Sequence, residues 1–240
     1  MLAYLKFEAK RLRRDPRLVV LTLLLPVLIF LINSGNSGTL DNVQVSTYLM
    51  VSMATYGALV GVLSVGISVS QERASGWLRQ LRITPLSPAK VVATKVLMGS
   101  LLAIPSVIAV GVTAAVTKGV NFHAWQWVAL VGLLWLGSLP FAALGLALGF
   151  SMPPQLTQPV SMLGVFGLSF LGGLFLPVAL MPKVLGQIAV WLPSNRYGEL
   201  GWSIAAQHAP TMKGIAILAG WAAVFAALAA FAYRRSAAQR

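Results

Sequence analysis

Apolar residues run along this chain in long blocks rather than in strict alternation. A helix needs about 20 apolar residues to cross a hydrocarbon core of about 30 Å. Six blocks reach or approach that length: Leu18 to Asn33, Tyr48 to Ser70, Val91 to Thr117, Trp125 to Phe150, Val160 to Pro177 and Gly214 to Tyr233. The first is short, and the fifth carries Gly172, Gly173 and Pro177, residue types that loosen a helix end. Pro26, Pro105 and Pro140 fall inside blocks and mark expected kinks. The pattern predicts an all-α integral membrane protein of six transmembrane helices, forming one domain over residues 1–240. No internal repeat stands out, and no polar stretch is large enough to fold as a separate soluble domain.

Shorter patterns between the blocks predict helices that lie beside a membrane or a partner. Leu2, Leu5, Ala9 and Leu12 recur at helical spacing next to Lys6, Lys10, Arg13 and Arg14, which predicts an N-terminal interfacial helix within residues 1–17. This opening resembles the charged start of a signal peptide, but the apolar run after it lacks a small-residue cleavage site, so it is expected to be retained. The stretch "QERASGWLRQLRITPLSPAK", residues 71–90, is a charged insert between the second and third blocks. Its Ala74, Trp77, Leu78 and Leu81 share one helical face, Arg79 and Arg82 point elsewhere, and Pro85 biases Thr84 out of helical geometry. An amphipathic cytoplasmic helix of this kind either anchors to lipid or docks a partner through Trp77 and its arginines; periodicity does not separate the two. After the fifth block, Val184, Leu185, Ile188, Trp191 and Leu192 suit a re-entrant or interfacial helix, and Arg196 with Glu199 suits an i,i+3 ion pair. In the second block Ala54, Gly57, Gly61, Ser64 and Ser68 form a narrow ridge, and Gly145 with Gly149 repeats the spacing in the fourth. Such ridges let helices approach closely, and intrachain packing is their ordinary use.

Composition sharpens this picture. Of 240 residues, 58% are hydrophobic and 10% charged, and the mean hydropathy is +0.81, against about 25% charged for an ordinary soluble domain. The net charge of +13 flanks apolar runs instead of covering one face of a soluble fold, which argues against nucleic acid as a partner and for membrane lipid. With the N-terminus inside, only Lys118, Lys183, Arg196 and Lys213 of the 18 basic residues fall outside, so both termini and the 71–90 insert are expected in the cytoplasm. There is no cysteine, and His123 and His208 are far apart, so no metal centre or catalytic set is expected. Glu8, Asp15, Asp41, Glu72 and Glu199 all lie outside the six blocks, which argues against a proton- or ion-driven transporter with carboxylates at membrane depth. Lys95 lies near the cytoplasmic end of the third block and is expected to snorkel to the interface.

Two separated stretches carry a family resemblance. "QERASGWLRQLRITPLS", with Glu72 and Arg73 ahead of Gly76, then Leu81, Thr84, Pro85, Leu86 and Ser87, resembles the segment between the second and third spans of ABC-type-2 membrane permeases. "GGLFLPVALMPKVLGQIAVWLPSNRY", residues 172–197, is similar to that family's exit from its fifth span. The resemblance implies the permease subunit of an ATP-driven exporter in a bacterial plasma membrane, moving an amphipathic, drug-like or lipid-like compound outward. A polysaccharide or ion exporter of the same family is the near alternative, and a non-transporting scaffold docking a signalling protein is the alternative of another class. It further implies that residues 71–86 form the coupling helix against a nucleotide-binding ATPase subunit, with Glu72, Arg73, Gly76, Trp77, Leu78, Leu81, Arg82, Thr84 and Pro85 at the contact and Glu72 paired to a basic group of that ATPase. Trp77 departs from the small or polar residue common there, which bears on which ATPase is accepted. Family architecture implies a second permease copy or a sibling permease, with Ala54, Gly57, Gly61, Ser64, Phe175 and Pro177 along the path or the dimer face. The chain has no G-x-x-x-x-G-K-[ST] loop, so no cofactor is expected on it, ATP and Mg belong to the partner, and the chain itself is expected not to be an enzyme.

Overall fold

The computed structural model describes residues 20–35, 39–40, 43–76 and 88–238. The expected interfacial helix of residues 2–14 and most of the 71–90 insert lie outside them.

A π-helical turn, Val20–Leu24, runs into α1, Leu25–Asn33. A two-residue ladder follows, with β1, Thr39–Leu40, antiparallel to β2, Val43–Gln44. The helices α2, Val45–Ala74, α3, Pro88–Leu101, α4, Ala103–Lys118, and α5, Ala124–Ser151, come next. α6, Pro154–Leu171, is followed by a 3-10 turn at Val178–Leu180, the short α7, Lys183–Ala189, then α8, Pro193–Ala205, and α9, Met212–Ala238. Apart from the small ladder, the regular structure among the described residues is all helical.

Among the described residues, four helical stretches are long and apolar enough to cross a membrane: α2, Thr94–Lys118 across the α3–α4 pair, α5, and Met212–Ser236 of α9. Thr22–Asn33 is a shorter apolar helix, and α6 has 18 residues. The third block, expected as one helix, is interrupted at Leu102, where the Leu102 N–H reaches the Gly99 carbonyl at 3.0 Å. Pro105 accounts for the interruption, since it cannot donate to the Leu101 carbonyl and its ring crowds that oxygen. The fifth block is shifted toward the N-terminus relative to expectation. Pro154 occupies the first helical turn, where a missing N–H costs nothing, and Gly173 turns the chain with φ +89° just beyond Leu171.

The helices pack around α2. The apolar stretch of α2 is 94% buried, against 22% for that of α9, so α2 is the axis of the bundle and α9 lies on its rim. A helix apolar all round and rich in small residues is suited to that place. The pairing directions follow from the side chains that meet. Gly201 of α8 sits against Val51, Leu130 and Leu134, and Gly66 sits against Gly145 and Gly149, so α2 and α5 run parallel. Phe141 meets Phe225, and Phe150 meets Tyr233, so α9 is parallel to both. Gly57 meets Ser106 and Gly99 meets Val65, which makes α3 and α4 antiparallel to α2. Tyr56 meets Phe166 while Tyr48 bonds Gly173, which makes α6 antiparallel as well. The bundle therefore has one end holding Gln44, Gly119 and Gln207, and an opposite end holding Glu72, Pro88 and Pro154.

Candidate functional site

At the Glu72 end, the close of α2 is tied to two other helices. Lys95 of α3 donates to Glu72 Oε1 at 2.6 Å, with the two side chains only 3% and 4% exposed. This corrects one expectation: Lys95 forms a buried pair where snorkelling was expected, and Glu72, expected at an ATPase contact, has a partner within its own chain. The physical reason is shared: a lone charge at this depth is costly, and a partner one helix away lets both remain inside.

The neighbouring Arg73 donates to the carbonyls of Phe150 and, at 2.6 Å, Met152. These oxygens lie at the C-terminus of α5, where the last carbonyls lack helical donors and the helix dipole favours a cation. Consecutive residues thus fasten α2 to α3 and to α5. Gly76 then closes α2 with φ +76°, its N–H on the Arg73 carbonyl at 3.3 Å; this left-handed turn suits glycine and releases the chain toward the insert. Of the expected coupling residues, Glu72, Arg73 and Gly76 are placed here, whereas Trp77, Leu78, Leu81, Arg82, Thr84 and Pro85 lie outside the described residues.

Toward the other end, the chain leaves α6 through an unwound stretch whose carbonyls are served by side chains. Asn195 Nδ2 donates to the Gly172 carbonyl at 3.0 Å and the Tyr48 hydroxyl to Gly173 at 2.8 Å, while Ser194 Oγ adds a second donor, at 2.5 Å, to the Leu168 carbonyl in the last turn of α6, which already accepts from the Gly172 N–H. Irregular backbone at membrane depth needs such donors, because lipid supplies none. α8 delivers one of them, Asn195, and Ser194 as well: it is polar and small-faced yet inserted, with Ser194, Asn195, Tyr197, Gly198 and Gly201 all buried. Tyr197 donates to the Leu134 carbonyl at 2.7 Å, and Trp202 stacks on Tyr48 at 4.8 Å while donating to Ser52 at 3.1 Å. The expected Arg196–Glu199 pair is present at 2.6 Å, and Glu199 also accepts from Thr211 at 2.5 Å. Replacing Asn195 by alanine is expected to leave the Gly172 carbonyl unserved, at a cost of about 1–3 kcal/mol, read as a lower melting midpoint of the protein in detergent.

The residues expected along a path or dimer face divide into two groups. Ala54, Gly57, Gly61 and Ser64 are buried within the chain: Gly57 packs on Thr22, Pro26 and Ser106, and Gly61 on Leu102. In this arrangement a substrate or second copy meets Gly57 and Gly61 only if α1 or α4 moves. Phe175 and Pro177 are half-buried. Phe175 lies 5.0 Å from Tyr56 and 6.2 Å from Phe166, ring centre to ring centre. The face of α6 turned to the bundle carries Thr157, Ser161, Val165 and Ser169, and the Ser161 and Ser169 hydroxyls are buried without a hydrogen-bond partner among the described residues.

Sequence reasoning missed Lys95 as a partner, missed Tyr48 and Asn195 as donors to the unwound stretch, and missed Ser194 as a donor to the last turn of α6. The signal for Lys95 was available, since a cation at the mouth of a span and an acid at the close of the preceding one bracket a single insert. For Asn195 the only signal was polar and small residues following Pro193 with no loop-like glycine–proline cluster.

A family model described as ABC-2 family transporter protein matches residues 36–231 of the chain. The chain is also 26% identical over 233 residues, 95% of its own length and 94% of the relative's, to "Putative transport permease YvfS" of Bacillus subtilis (strain 168).

Proposed function

Because the chain belongs to the ABC-2 family of transporter proteins, we propose that it is the membrane permease subunit of an ATP-driven exporter. In this reading six helices cross the membrane: α1 with its preceding turn, α2, the α3–α4 pair, α5, α6 and α9. The Glu72 end faces the cytoplasm in a bacterial plasma membrane. A separate nucleotide-binding subunit, carrying ATP and Mg, docks on the coupling segment, residues 71–86, and a second permease copy or sibling completes the transporter. The cargo is an amphipathic, drug-like or lipid-like compound.

The observation that carries this reading is the fastening at the end of α2. A push on the insert reaches α2 through Gly76, and reaches α3 and α5 at once through Glu72–Lys95 and Arg73. A partner's closure can therefore bias the bundle as a unit between two arrangements, which is what a transporter without its own ATP site requires. In this reading the bundle opens along the seam of α6 on α2. Its Ser161 and Ser169 hydroxyls, without a hydrogen-bond partner among the described residues, and the Tyr56–Phe166–Phe175 aromatic group offer an amphipathic compound both polar and apolar contacts.

The reading is tested by purifying the tagged chain gently from its native membranes, identifying the proteins that come with it, and assaying ATP hydrolysis. A stoichiometric nucleotide-binding subunit whose hydrolysis responds to the permease supports it. Recovery of the chain alone, or with a signalling protein that lacks ATPase activity, would overturn it. Trp77→Ala is expected to lower co-purification of the ATPase by about tenfold, as loss of an interface aromatic does, with the melting midpoint of the permease unchanged.

A further inference from the structure

A pocket of about 390 Å³ opens at the Gln44 end of the bundle, lined by Gln44, Thr47, Asn121, Phe122, Gln126 and Gln207, with the Gly119–Val120 bend as its wall. Its chemistry differs from that of the rest of the protein. In a chain of net charge +13, none of the described lining residues is ionisable, and four of them are carboxamides. A carboxamide presents a donor and an acceptor side by side, which is the pattern a ring hydroxyl needs.

The backbone gives the same answer. α2 and α5 bring their N-terminal ends to this pocket, and α4 and α8 bring their C-terminal ends. Two positive and two negative helix poles meet there and offset each other, so the site favours neither an anion nor a cation. The floor is preorganised: Gln126 is 2% exposed, accepting from the His123 N–H at 2.9 Å and donating to the Ile204 carbonyl at 3.1 Å. Phe122 is held against Trp127 at 5.1 Å and offers an apolar face for ring C–H groups.

Gln207 is the most telling residue. Its φ is +58°, the sole positive φ at a non-glycine position among the described residues. It follows α8 at the left-handed turn that usually takes glycine, with the His208 N–H reaching back to the Ser203 carbonyl at 3.0 Å. A side chain kept where glycine would be more stable, and lining a pocket, points to a use for that side chain.

We infer that this pocket binds a neutral polyhydroxylated ring compound, a saccharide of one or two units, through the carboxamides of Gln44, Asn121 and Gln207 with Phe122 as the stacking face. Such a ring can come from a free saccharide or from the headgroup of a glycolipid. That the pocket faces outward rests on the orientation proposed above; binding itself does not, and it is measured on the isolated permease without ATPase or transport.

The full chain is placed in phospholipid nanodiscs free of sugar detergent. Maltose binding is followed by saturation-transfer NMR, and binding of diglucosyl diacylglycerol by native mass spectrometry. Saturable occupancy by either probe is expected, maltose alone marking a free saccharide and the lipid alone a glycolipid. Gln207→Gly is expected to weaken that binding by about tenfold, the loss of one or two hydrogen bonds, with a melting midpoint no lower than that of the parent protein because glycine relieves the turn. Asn121→Ala, in the exposed loop, provides an independent loss. Absence of binding by both probes, parental binding in Gln207→Gly, or displacement of maltose by inorganic phosphate at equal concentration would overturn the assignment.

Discussion

Lys95→Met is expected to destabilise the protein by about 3–5 kcal/mol, the cost of leaving one member of a buried ion pair behind. Glu72 is 4% exposed and bonds Lys95 at 2.6 Å, so removing the ammonium takes a short charged hydrogen bond from a carboxylate that solvent does not reach. Thermal melting in detergent reads the loss. The double variant Lys95→Met with Glu72→Leu removes both charges and is expected to recover most of the stability, since two apolar side chains of similar size replace a buried pair at little net cost. ATPase stimulation by the permease should not recover with it, because the tie between the end of α2 and α3 is then a soft contact without a fixed geometry. Full recovery of both stability and stimulation in the double variant would show that the pair is structural only.

Gly66→Val should cost about 3 kcal/mol, at the upper end of what overpacking does in a close-packed interior. A Cβ at Gly66 overlaps the Gly145 carbonyl oxygen, and the facing Gly149 has the same relation to the Gly66 carbonyl. Backbone stands on both sides of this contact, so no side chain can swing away; the axes of α2 and α5 must separate, and their apolar neighbours lose contact along the crossing. Gly220→Val in α9 is the control. Nothing lies within 4 Å of a Cβ there, and its stability should stay within about 0.5 kcal/mol of the parent's. Equal losses at Gly66 and Gly220 would mean that glycine acts through helix propensity rather than through the α2–α5 approach.

Much of the fold is legible in the sequence because burial in lipid imposes a simple pattern. The apolar blocks gave the places of α1, α2, the α3–α4 pair, α5 and α9. Proline marked the α3–α4 interruption, though as a kink and not as a break. The end of α6 was harder to read, since Val160 to Pro177 is apolar throughout and hydropathy alone extends a helix across it. Gly172 and Gly173 are the residues that stop it. Stopping there is possible because Tyr48 and Asn195 arrive from other helices to serve the freed carbonyls of Gly173 and Gly172.

The candidate site was legible to the same degree and for the same reason. Its location at the 71–90 insert could be read from a run of charges between two apolar blocks, but the break at Gly76 could not, since the spacing of Ala74, Trp77, Leu78 and Leu81 reads as one helical face running through it, whereas α2 ends at Ala74 and Gly76 turns left-handed. Nor could the role of Glu72, because a carboxylate beside a cytoplasmic insert is equally suited to a partner's arginine or to a lysine of its own chain. Local sequence therefore determined that this protein is helical, where its apolar segments lie, and that its charges gather at their ends, since these follow from hydropathy and from each residue's own cost in lipid. Only the tertiary structure decided that α2 is the buried axis, that Glu72 turns to Lys95 and Arg73 to the end of α5, and that α8 is inserted to satisfy the unwound stretch after α6. Those outcomes depend on which groups, distant along the chain, come close enough to exchange a hydrogen bond or to exclude a Cβ.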